Sequence, residues 1–429
     1  MMRAIMIKHI LLLLLSLLAL PHTAAAQEVL PTPQSCPGEV RVAARCFTGR
    51  DSAGAFYWIA IPQQWNQVLV MHAHGGPAEP GAPKLKRSEE DLQRWALMTN
   101  LGFAWAGSTY RRGGYGVTMA AEDTERLRQI FVRHFGQPRR TLLHGQSYGA
   151  GVAAKAAELY ATVDGQRGPY DAVLLTSGVV GGGVLAYQFR YELRLAYQRV
   201  CQNHPLPSET QYPLWLGLPL DSTLKREELA RRVQECTGLG KPVAQRSDSQ
   251  KANLSAIAQA VRIEENSLLG HLNWATWMFQ DLVQRQLGGR NPFSPDADAQ
   301  AVAELDRDSA PTGRVNVPVL SLHAIDDPTA FVELDSAYRA AFENAGTAGL
   351  LLQTFSAENQ HSYLGETQYV ALLDALLAWI DRGSKPTAQS ISQRCKELEA
   401  SHGASCQFRP DYQVQPLAQR AAVRPALRP

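Results

Sequence analysis

Seven short apolar runs, separated by segments with helical periodicity, constrain the fold of this sequence most. Several of them are continuous over four to six residues, as in strands that are covered on both faces. The runs are Phe56–Ile61, Val68–His72, Phe103–Gly107, Thr141–Leu143, Ala172–Leu175, Val317–Leu322 and Leu350–Phe355. Helical faces lie between them, one marked by Thr124, Leu127 and Phe131 and a late one by Tyr369, Leu372 and Leu376. The alternation predicts an α/β fold with a mostly parallel central sheet and helices on both faces.

One long interruption divides this pattern. From about residue 179 to 312 the sequence has no convincing strand, but helical patterns occur at Tyr187–Tyr197, Leu224–Val233, Ala252–Ile263 and Leu268–Leu287. A block of this length inside an α/β core predicts an inserted helical lid rather than a structureless loop. Beyond Asp381 the periodicity is lost and the sequence is basic, so we expect a tail whose last dozen residues lie loosely on the surface. The predicted segments are an N-terminal segment at 27–54, core parts at 55–178 and 313–381, the lid at 179–312 and the tail at 382–429.

The first 26 residues have the pattern of a secretory signal peptide. Arg3 and Lys8 precede an apolar stretch from Ile10 to Leu20, and three alanines end the segment at Ala26. The apolar stretch is shorter than the roughly 20 residues that span a membrane. We therefore expect removal of residues 1–26, export to the periplasm or the medium, and no stable membrane anchor afterwards.

The charge balance and the cysteine content of the sequence bear on its partners and on its disulfides. The leader holds two of the 42 basic residues and no acidic one, so the remaining chain has 40 of each sign, which disfavours a nucleic-acid partner. All six cysteines follow the leader, and an even number in an exported protein predicts disulfides. Of the possible pairings we favour nearest neighbours. These are Cys36–Cys46, Cys201–Cys236 and Cys395–Cys406.

The strongest local motif is Gly145-Gln146-Ser147-Tyr148-Gly149. It follows the apolar run that ends at Leu143 and opens a helix of small residues from Ala150. A serine at the tip of a strand–turn–helix is the nucleophile elbow of serine hydrolases, although a plain Gly-rich turn is the alternative. Ser147 is therefore the candidate nucleophile.

A serine nucleophile needs a base and the base needs an orienting acid, which follow the elbow in the order acid, then histidine. Asp327 follows the sixth apolar run and His361 follows the seventh, both at the carboxyl ends of strands. We prefer Asp327 to Asp326 as the acid, because Pro328 follows it in the turn. For His361 the alternative is a surface histidine, and His323 is interpreted as structural.

The segment from His72 to Pro77 offers the third part of a catalytic site. Backbone N–H groups of Gly75 or Gly76, together with that of Tyr148, are the candidate oxyanion donors. His72 and His74 are an alternative metal pair, but no carboxylate or cysteine stands at ligand spacing, so we expect no metal. His74 would instead brace the loop.

The sequence resembles the α/β-hydrolase superfamily in the order of its motifs, which are H-G-G-P, G-Q-S-Y-G, the D-D-P turn and the late His361. The resemblance covers about residues 55–178 and 317–380. It implies an α/β-hydrolase fold, a Ser/Asp/His triad and no cofactor. The segment Ser108–Gly116 is similar to exported bacterial hydrolases. H-G-G-P with G-x-S-Y-G also resembles secreted prolyl and tripeptidyl aminopeptidases, in which glycines occupy the places of Ala78, Gln360 and Ser362.

These observations predict an exported serine hydrolase that acts on small-molecule esters. An aminopeptidase with the same triad is the main alternative, and Glu264 and Glu265 of the lid would then receive a free amino terminus. Another acyl-transfer activity and a non-catalytic binding protein of the same fold stay open. Arg111 and Arg112 are candidates for binding a substrate carboxylate, the alternative being local carbonyl contacts or surface ion pairs.

Overall fold

Each of the seven apolar runs overlaps a strand of the structure, a computed structural model. It describes residues 27–163, 165–218, 222–262, 265, 268–272, 282–283, 285–293 and 296–417. The predicted leader and the last dozen residues lie outside these ranges. The strands are β1 (Val29–Gln34), β2 (Ala44–Arg50), β3 (Phe56–Pro62), β4 (Val68–Ala73), β5 (Ala104–Ser108), β6 (Arg140–Gln146), β7 (Thr162–Val163), β8 (Gln166–Arg167), β9 (Ala172–Thr176), β10 (Val319–Ala324) and β11 (Leu351–Ser356).

The helices alternate with these strands along the core and follow one another between β9 and β10. They are α1 (Leu85–Arg94), α2 (Ala96–Asn100), α3 (Val117–Phe135), α4 (Tyr148–Leu159), α5 (Gly183–Cys201), α6 (Arg226–Thr237), α7 (Asp248–Val261), α8 (Leu268–His271), α9 (Ala299–Ser309), α10 (Leu334–Ala345), α11 (Glu366–Arg382) and α12 (Ala388–His402). Short 3₁₀ helices cover Leu214–Leu216, Val243–Gln245 and Ala348–Leu350. In the described ranges, no helix has both the length and the apolar character needed to cross a membrane.

The main sheet has the strand order β1-β2-β3-β5-β4-β6-β9-β10-β11. The pairs from β1 to β5 are antiparallel, and every pair from β5 to β11 is parallel. Parallel strands end at the same edge of a sheet, so the segments after β4, β6, β9, β10 and β11 meet there. That edge is where an open α/β sheet binds its ligands.

Helices cover both faces of the sheet, as the alternation predicts. One buried cluster packs α3, α4 and α10 against the sheet and continues into the helices between β9 and β10. A second cluster packs α1, α11 and α12 against the opposite face. Because both faces are covered, β4, β9 and β10 are buried along their whole length, and this explains their continuous apolar runs.

The described residues between β9 and β10 contain helices and no strand, and the role of this segment as a lid stays a prediction. The disulfide Cys201–Cys236 joins α5 to α6. At the far end of this segment, the Asp308 carboxylate accepts hydrogen bonds from the N–H groups of Val117 and Thr118, each 2.9 Å long. Those N–H groups open α3 and have no partner within that helix. The carboxylate therefore caps a core helix and holds the end of the segment between β9 and β10 against the core.

The tail corrects one expectation. Residues 388–402 form α12, so the interpretation that helical periodicity is lost beyond Asp381 is wrong there. Ile391, Cys395 and Leu398 are buried, at spacings of four and three residues, and they form a narrow apolar stripe against α11. The side chain of Thr387 caps the helix, and the disulfide Cys395–Cys406 joins the middle of the helix to the segment that follows it. A third disulfide, Cys36–Cys46, joins the segment after β1 to β2, so all three nearest-neighbour pairs are bonded.

Candidate active site

Ser147 occupies the single residue between β6 and α4. Its backbone has φ 60° and ψ −126°, a conformation that is strained for a residue with a side chain. Three backbone hydrogen bonds hold it there. The Ser147 N–H donates to the Thr176 carbonyl at 3.0 Å, and the Ser147 carbonyl accepts from Ala150 at 3.0 Å and from Val179 at 3.1 Å. This is the geometry of a nucleophile elbow.

The two glycines that flank the elbow are required by close backbone contacts. A Cβ on Gly145 would lie 2.1 Å from the Gly149 carbonyl oxygen. A Cβ on Gly149 would lie 2.1 Å from the Ala73 carbonyl oxygen at the end of β4. The motif thus lets α4 start against β4 and β6 with no space for a side chain.

The three residues chosen from the sequence form a continuous hydrogen-bonded row. His361 Nε2 lies 2.7 Å from Ser147 Oγ, across 214 residues of sequence. On the other side of the ring, His361 Nδ1 lies 2.8 Å from Asp327 Oδ2 and 3.0 Å from Oδ1. In a neutral ring that donates from Nδ1 to the carboxylate, Nε2 is free to accept the serine proton.

Asp327 is held as an ionised carboxylate. Its side chain is buried, and Oδ1 accepts hydrogen bonds from the N–H groups of Thr329 at 2.8 Å and Ala330 at 2.9 Å. Burial raises the pKa of this carboxyl, but His361 and His323 outweigh that effect and hold the pKa well below its usual range. The neighbouring Asp326 is exposed, which fits the choice of Asp327.

Two residues that the sequence did not single out shape the loop that carries His361. Gln146, the residue before the serine, donates from Nε2 to the His361 carbonyl at 2.9 Å. Glu358 accepts from the Gly365 N–H at 2.9 Å and from Gln368 at 2.8 Å, so it closes the loop between β11 and α11. Neither role leaves a signal in the sequence, because both are contacts between segments.

The loop of residues 74–77, called the Gly-Gly loop below, lies beside the elbow. A Cβ on Gly75 would lie 3.9 Å from Ser147 Cβ and 3.1 Å from the Gln146 carbonyl. Gly76 has φ +66°, which a glycine adopts without strain. Tyr148 is the first residue of α4, where backbone N–H groups have no partner within the helix. The role of these three residues as oxyanion donors stays a prediction.

The Gly-Gly loop is braced by side chains of α1. His74 Nδ1 forms a short hydrogen bond with the Asp91 carboxylate, and Arg87 donates to His74 Nε2 from two nitrogens at 3.0 and 2.8 Å. The Tyr110 hydroxyl donates to the His74 carbonyl at 2.9 Å. Both ring nitrogens and the carbonyl of His74 are therefore engaged, which matches its predicted bracing role. Asp91 and Arg87 were not anticipated.

The pair His72 and His144 lies behind this loop. Their Nδ1 atoms are 3.0 Å apart and both rings are buried. Burial lowers the pKa of each ring, so both are neutral and one donates to the other. Within the described ranges, no group of three or more His, Cys, Asp or Glu is arranged to hold a metal ion.

The other candidate binding residues have contacts of their own. Arg111 donates from Nε to Asp123 at 2.7 Å and from Nη2 to Glu122 at 2.8 Å, so a substrate carboxylate would have to displace these acids. Arg112 is exposed and donates to the carbonyl of Gly113. Glu265 forms an ion pair with Arg246 at 3.5 Å. Glu264 lies outside the described residues.

No protein-family model and no curated protein sequence matches the chain. Among solved structures it is similar to an esterase from Aspergillus oryzae, at 13% identity and a TM-score of 0.48, with 84% of this chain and 86% of that chain covered. It is also similar to the rice cell wall degrading esterase LipA from Xanthomonas oryzae, at 14% identity and a TM-score of 0.47, with 82% and 98% covered. A third is puromycin hydrolase, at 17% identity and a TM-score of 0.42, where 83% of this chain matches 40% of that longer chain.

The fold class follows from the strand order of the sheet and from the positions of Ser147, Asp327 and His361 at the ends of three of its strands. The serine elbow follows β6, the acid follows β10 and the histidine follows β11, all at the same edge of a mostly parallel sheet covered by helices on both faces. The predicted fold class is confirmed: the chain has the α/β-hydrolase fold.

Proposed function

We propose that this protein is an exported serine hydrolase that cleaves carboxylic esters through an acyl-enzyme on Ser147. The observation that carries the proposal is the row of hydrogen bonds from Ser147 through His361 to Asp327, at 2.7 and 2.8 Å. It combines a nucleophile on a strained turn, an imidazole base and a buried carboxylate, which is the arrangement that activates a serine.

The reaction would proceed in two halves. Ser147 Oγ attacks the ester carbonyl carbon while His361 Nε2 takes the hydroxyl proton, and Asp327 stabilises the resulting imidazolium. The oxygen of the tetrahedral intermediate is received by the N–H of Tyr148 and an N–H of the Gly-Gly loop. His361 then gives its proton to the leaving alkoxide. In the second half His361 activates a water molecule, which releases the carboxylic acid and restores Ser147.

The ester assignment is preferred to the aminopeptidase for a reason of charge. An aminopeptidase needs an acidic group to receive the free amino terminus of its substrate. Glu265, one of two lid acids considered for that role, pairs with Arg246, and its side chain is 45% exposed. An ester with an uncharged acyl group requires no such partner.

Export is part of the proposal. The three disulfides join segments at the N-terminus, in the lid and in the tail, and such bonds persist in oxidising compartments. The leader sequence at residues 1–26 supplies the second argument.

A fluorophosphonate probe tests the hydrolase proposal directly, because it reacts with an activated serine. We expect stoichiometric labelling on Ser147, abolished in Ser147→Ala, which serves as the matched control. Absence of labelling in correctly folded protein would refute the enzyme and leave the non-catalytic binding protein.

Substrate class is tested by comparing kcat/KM on p-nitrophenyl esters of several chain lengths with kcat/KM on aminoacyl and prolyl anilides. We expect turnover of the esters with little or none of the anilides. A clear preference for the anilides would replace the esterase with the aminopeptidase.

A further inference from the structure

The carboxylate of Asp327 has a second histidine neighbour. His323 stands in β10, four residues before Asp327, and its Nε2 lies 3.4 Å from Asp327 Oδ2. The side chains of His323 and Asp327 are 1% and 0% exposed. Asp327 is therefore placed between two imidazoles, with His361 Nδ1 2.8 Å from the same oxygen.

The ring nitrogens of His323 both face oxygen acceptors. Nδ1 lies 2.5 Å from Asp335 Oδ2, and Nε2 lies 2.8 Å from the Ala330 carbonyl oxygen. A neutral imidazole has one N–H only, so it would direct a lone pair at one of these oxygens unless Asp335 were protonated.

Both carboxylate oxygens of Asp335 are placed as hydrogen-bond acceptors. Asp335 lies in the first turn of α10, where the helix dipole stabilises negative charge. Its Oδ1 also accepts a hydrogen bond from Gln353 Nε2 at 3.2 Å. His323 is then an imidazolium with both N–H groups donating.

The charges around the ring agree with this assignment. Asp335 faces it from α10 and Asp327 from the turn after β10, while Arg190 of α5 reaches that turn through the Thr329 carbonyl at 3.2 Å. Burial alone would lower the pKa of His323, but the two carboxylates outweigh it and raise the pKa to about 10.

We propose that His323, charged and paired with Asp335, is a positioning residue that acts on the reaction through Asp327. This inference rests on the proposed function of the triad. The positive charge of His323 keeps Asp327 ionised and oriented. It also partly cancels the attraction between the Asp327 carboxylate and a proton on His361. His361 consequently binds a proton less tightly, so the neutral base persists to lower pH.

Replacing His323 by an uncharged residue removes the positive charge that offsets Asp327 and Asp335. The two carboxylates then attract a proton to His361 more strongly, so His361 gains affinity for a proton. The acidic limb of kcat/KM reports protonation of the base in the free enzyme. The distances of 3.4 and 2.8 Å to the shared Asp327 Oδ2 place the nearest ring nitrogens of His323 and His361 no more than about 6 Å apart. A charge at that distance, at an intermediate effective dielectric constant, should move the limb to higher pH by about 0.5 to 2 units.

The first experiment compares pH profiles of kcat/KM on p-nitrophenyl butyrate for three variants. His323→Gln keeps an N–H for the Ala330 carbonyl but removes the charge. The double variant His323→Gln/Asp335→Asn removes the ion pair as a unit, so no buried carboxylate is stranded and folding is protected. Asp326→Asn, an exposed neighbour, is the matched control.

We expect the acidic limb to shift upward in His323→Gln, less far in the double variant, and not at all in Asp326→Asn. If the first two variants keep the wild-type limb and merely melt at lower temperature, His323 has a structural role only and the proposal is overturned.

The second experiment needs no activity. In ¹⁵N-labelled wild-type protein at pH 8, we expect two ring N–H signals with imidazolium nitrogen shifts, absent from His323→Gln. A neutral His323 at that pH would overturn the proposal even if the esters are cleaved. Failure of the proposed hydrolase would instead appear as absence of Ser147 labelling, with the imidazolium signals still present.

Discussion

Replacing Asp327 by asparagine should inactivate the site through the tautomer of His361. The asparagine side chain has one oxygen acceptor and one NH₂ donor. The N–H groups of Thr329 and Ala330 both point at Oδ1, at 2.8 and 2.9 Å, so the amide oxygen must stay there. The NH₂ group then takes the Oδ2 position, 2.8 Å from His361 Nδ1.

The alternative orientation of the amide is disfavoured. Turning it over would leave two buried backbone N–H groups without acceptors, at about 1–3 kcal/mol each. The amide oxygen at the Oδ1 position already accepts two hydrogen bonds, so it offers His361 Nδ1–H no further lone pair although the two atoms are 3.0 Å apart. A change of tautomer in His361 relieves the clash between Nδ1–H and the NH₂ group at lower cost. The ring then carries its proton on Nε2, where it faces Ser147 Oγ at 2.7 Å and can no longer accept the serine proton.

We expect kcat/KM on p-nitrophenyl esters to fall about 10³- to 10⁴-fold, which corresponds to about 4–5 kcal/mol of activation free energy. The rate of fluorophosphonate labelling should fall in parallel. Asp326→Asn is the control, because it makes the same change on an exposed carboxylate, and thermal unfolding establishes that both variants are folded. If Asp327→Asn keeps more than about a tenth of the wild-type rate, the assigned base–acid pair is wrong.

Three further predictions concern the elbow, the brace of the Gly-Gly loop and the pH dependence of stability. Gly149→Ala should destabilise the protein by about 1–3 kcal/mol or more and lower activity, because its Cβ would lie 2.1 Å from a carbonyl oxygen of β4. Gly38→Ala, with nothing within 4 Å, should change neither the melting temperature nor the rate. Asp91→Asn should lower kcat by about 10- to 100-fold with little change in KM, since it loosens His74; a change confined to KM would contradict the bracing role. Finally, burial lowers the pKa of His144 in the folded protein. As the pH falls, this ring is therefore protonated in the unfolded chain while it is still neutral in the folded protein. Stability should therefore decline as the pH falls below about 6.5, at up to about 1.4 kcal/mol per pH unit. Melting curves between pH 7 and 5 should be flatter for His144→Gln, and an equally steep decline in that variant would argue against this source.

Local pattern was enough to locate most of the core. Each apolar run from Phe56 to Phe355 overlaps a strand, because a strand covered on both faces must be apolar throughout. The first strand and the last helix of the described residues could not be predicted in this way. β1 is mostly exposed and contains two prolines, so it carries no strand pattern, and α12 has only a narrow apolar stripe. Elements of this kind acquire their order from the neighbour they pack on.

The candidate triad could be chosen from the sequence because each member has a local context. Ser147 stands between glycines that the elbow requires, while Asp327 and His361 each follow an apolar run in the order expected for this chemistry. The strand and helix types, the fold class and these three candidates were thus accessible from short stretches of chain. The contacts of Arg111 with Asp123 and Glu122 were not, since nothing in the spacing of loop residues tells which acid lies near them.

Long-range packing settled the remaining features. The position of β5 between β3 and β4, the brace of Asp91 on His74 and the placement of His323 between two acids depend on which segments meet. Periodicity and turn chemistry act over a few residues, whereas these contacts depend on burying both faces of one sheet. The sequence therefore identifies the candidate catalytic residues, whereas the charged groups that surround them are known only from the tertiary structure.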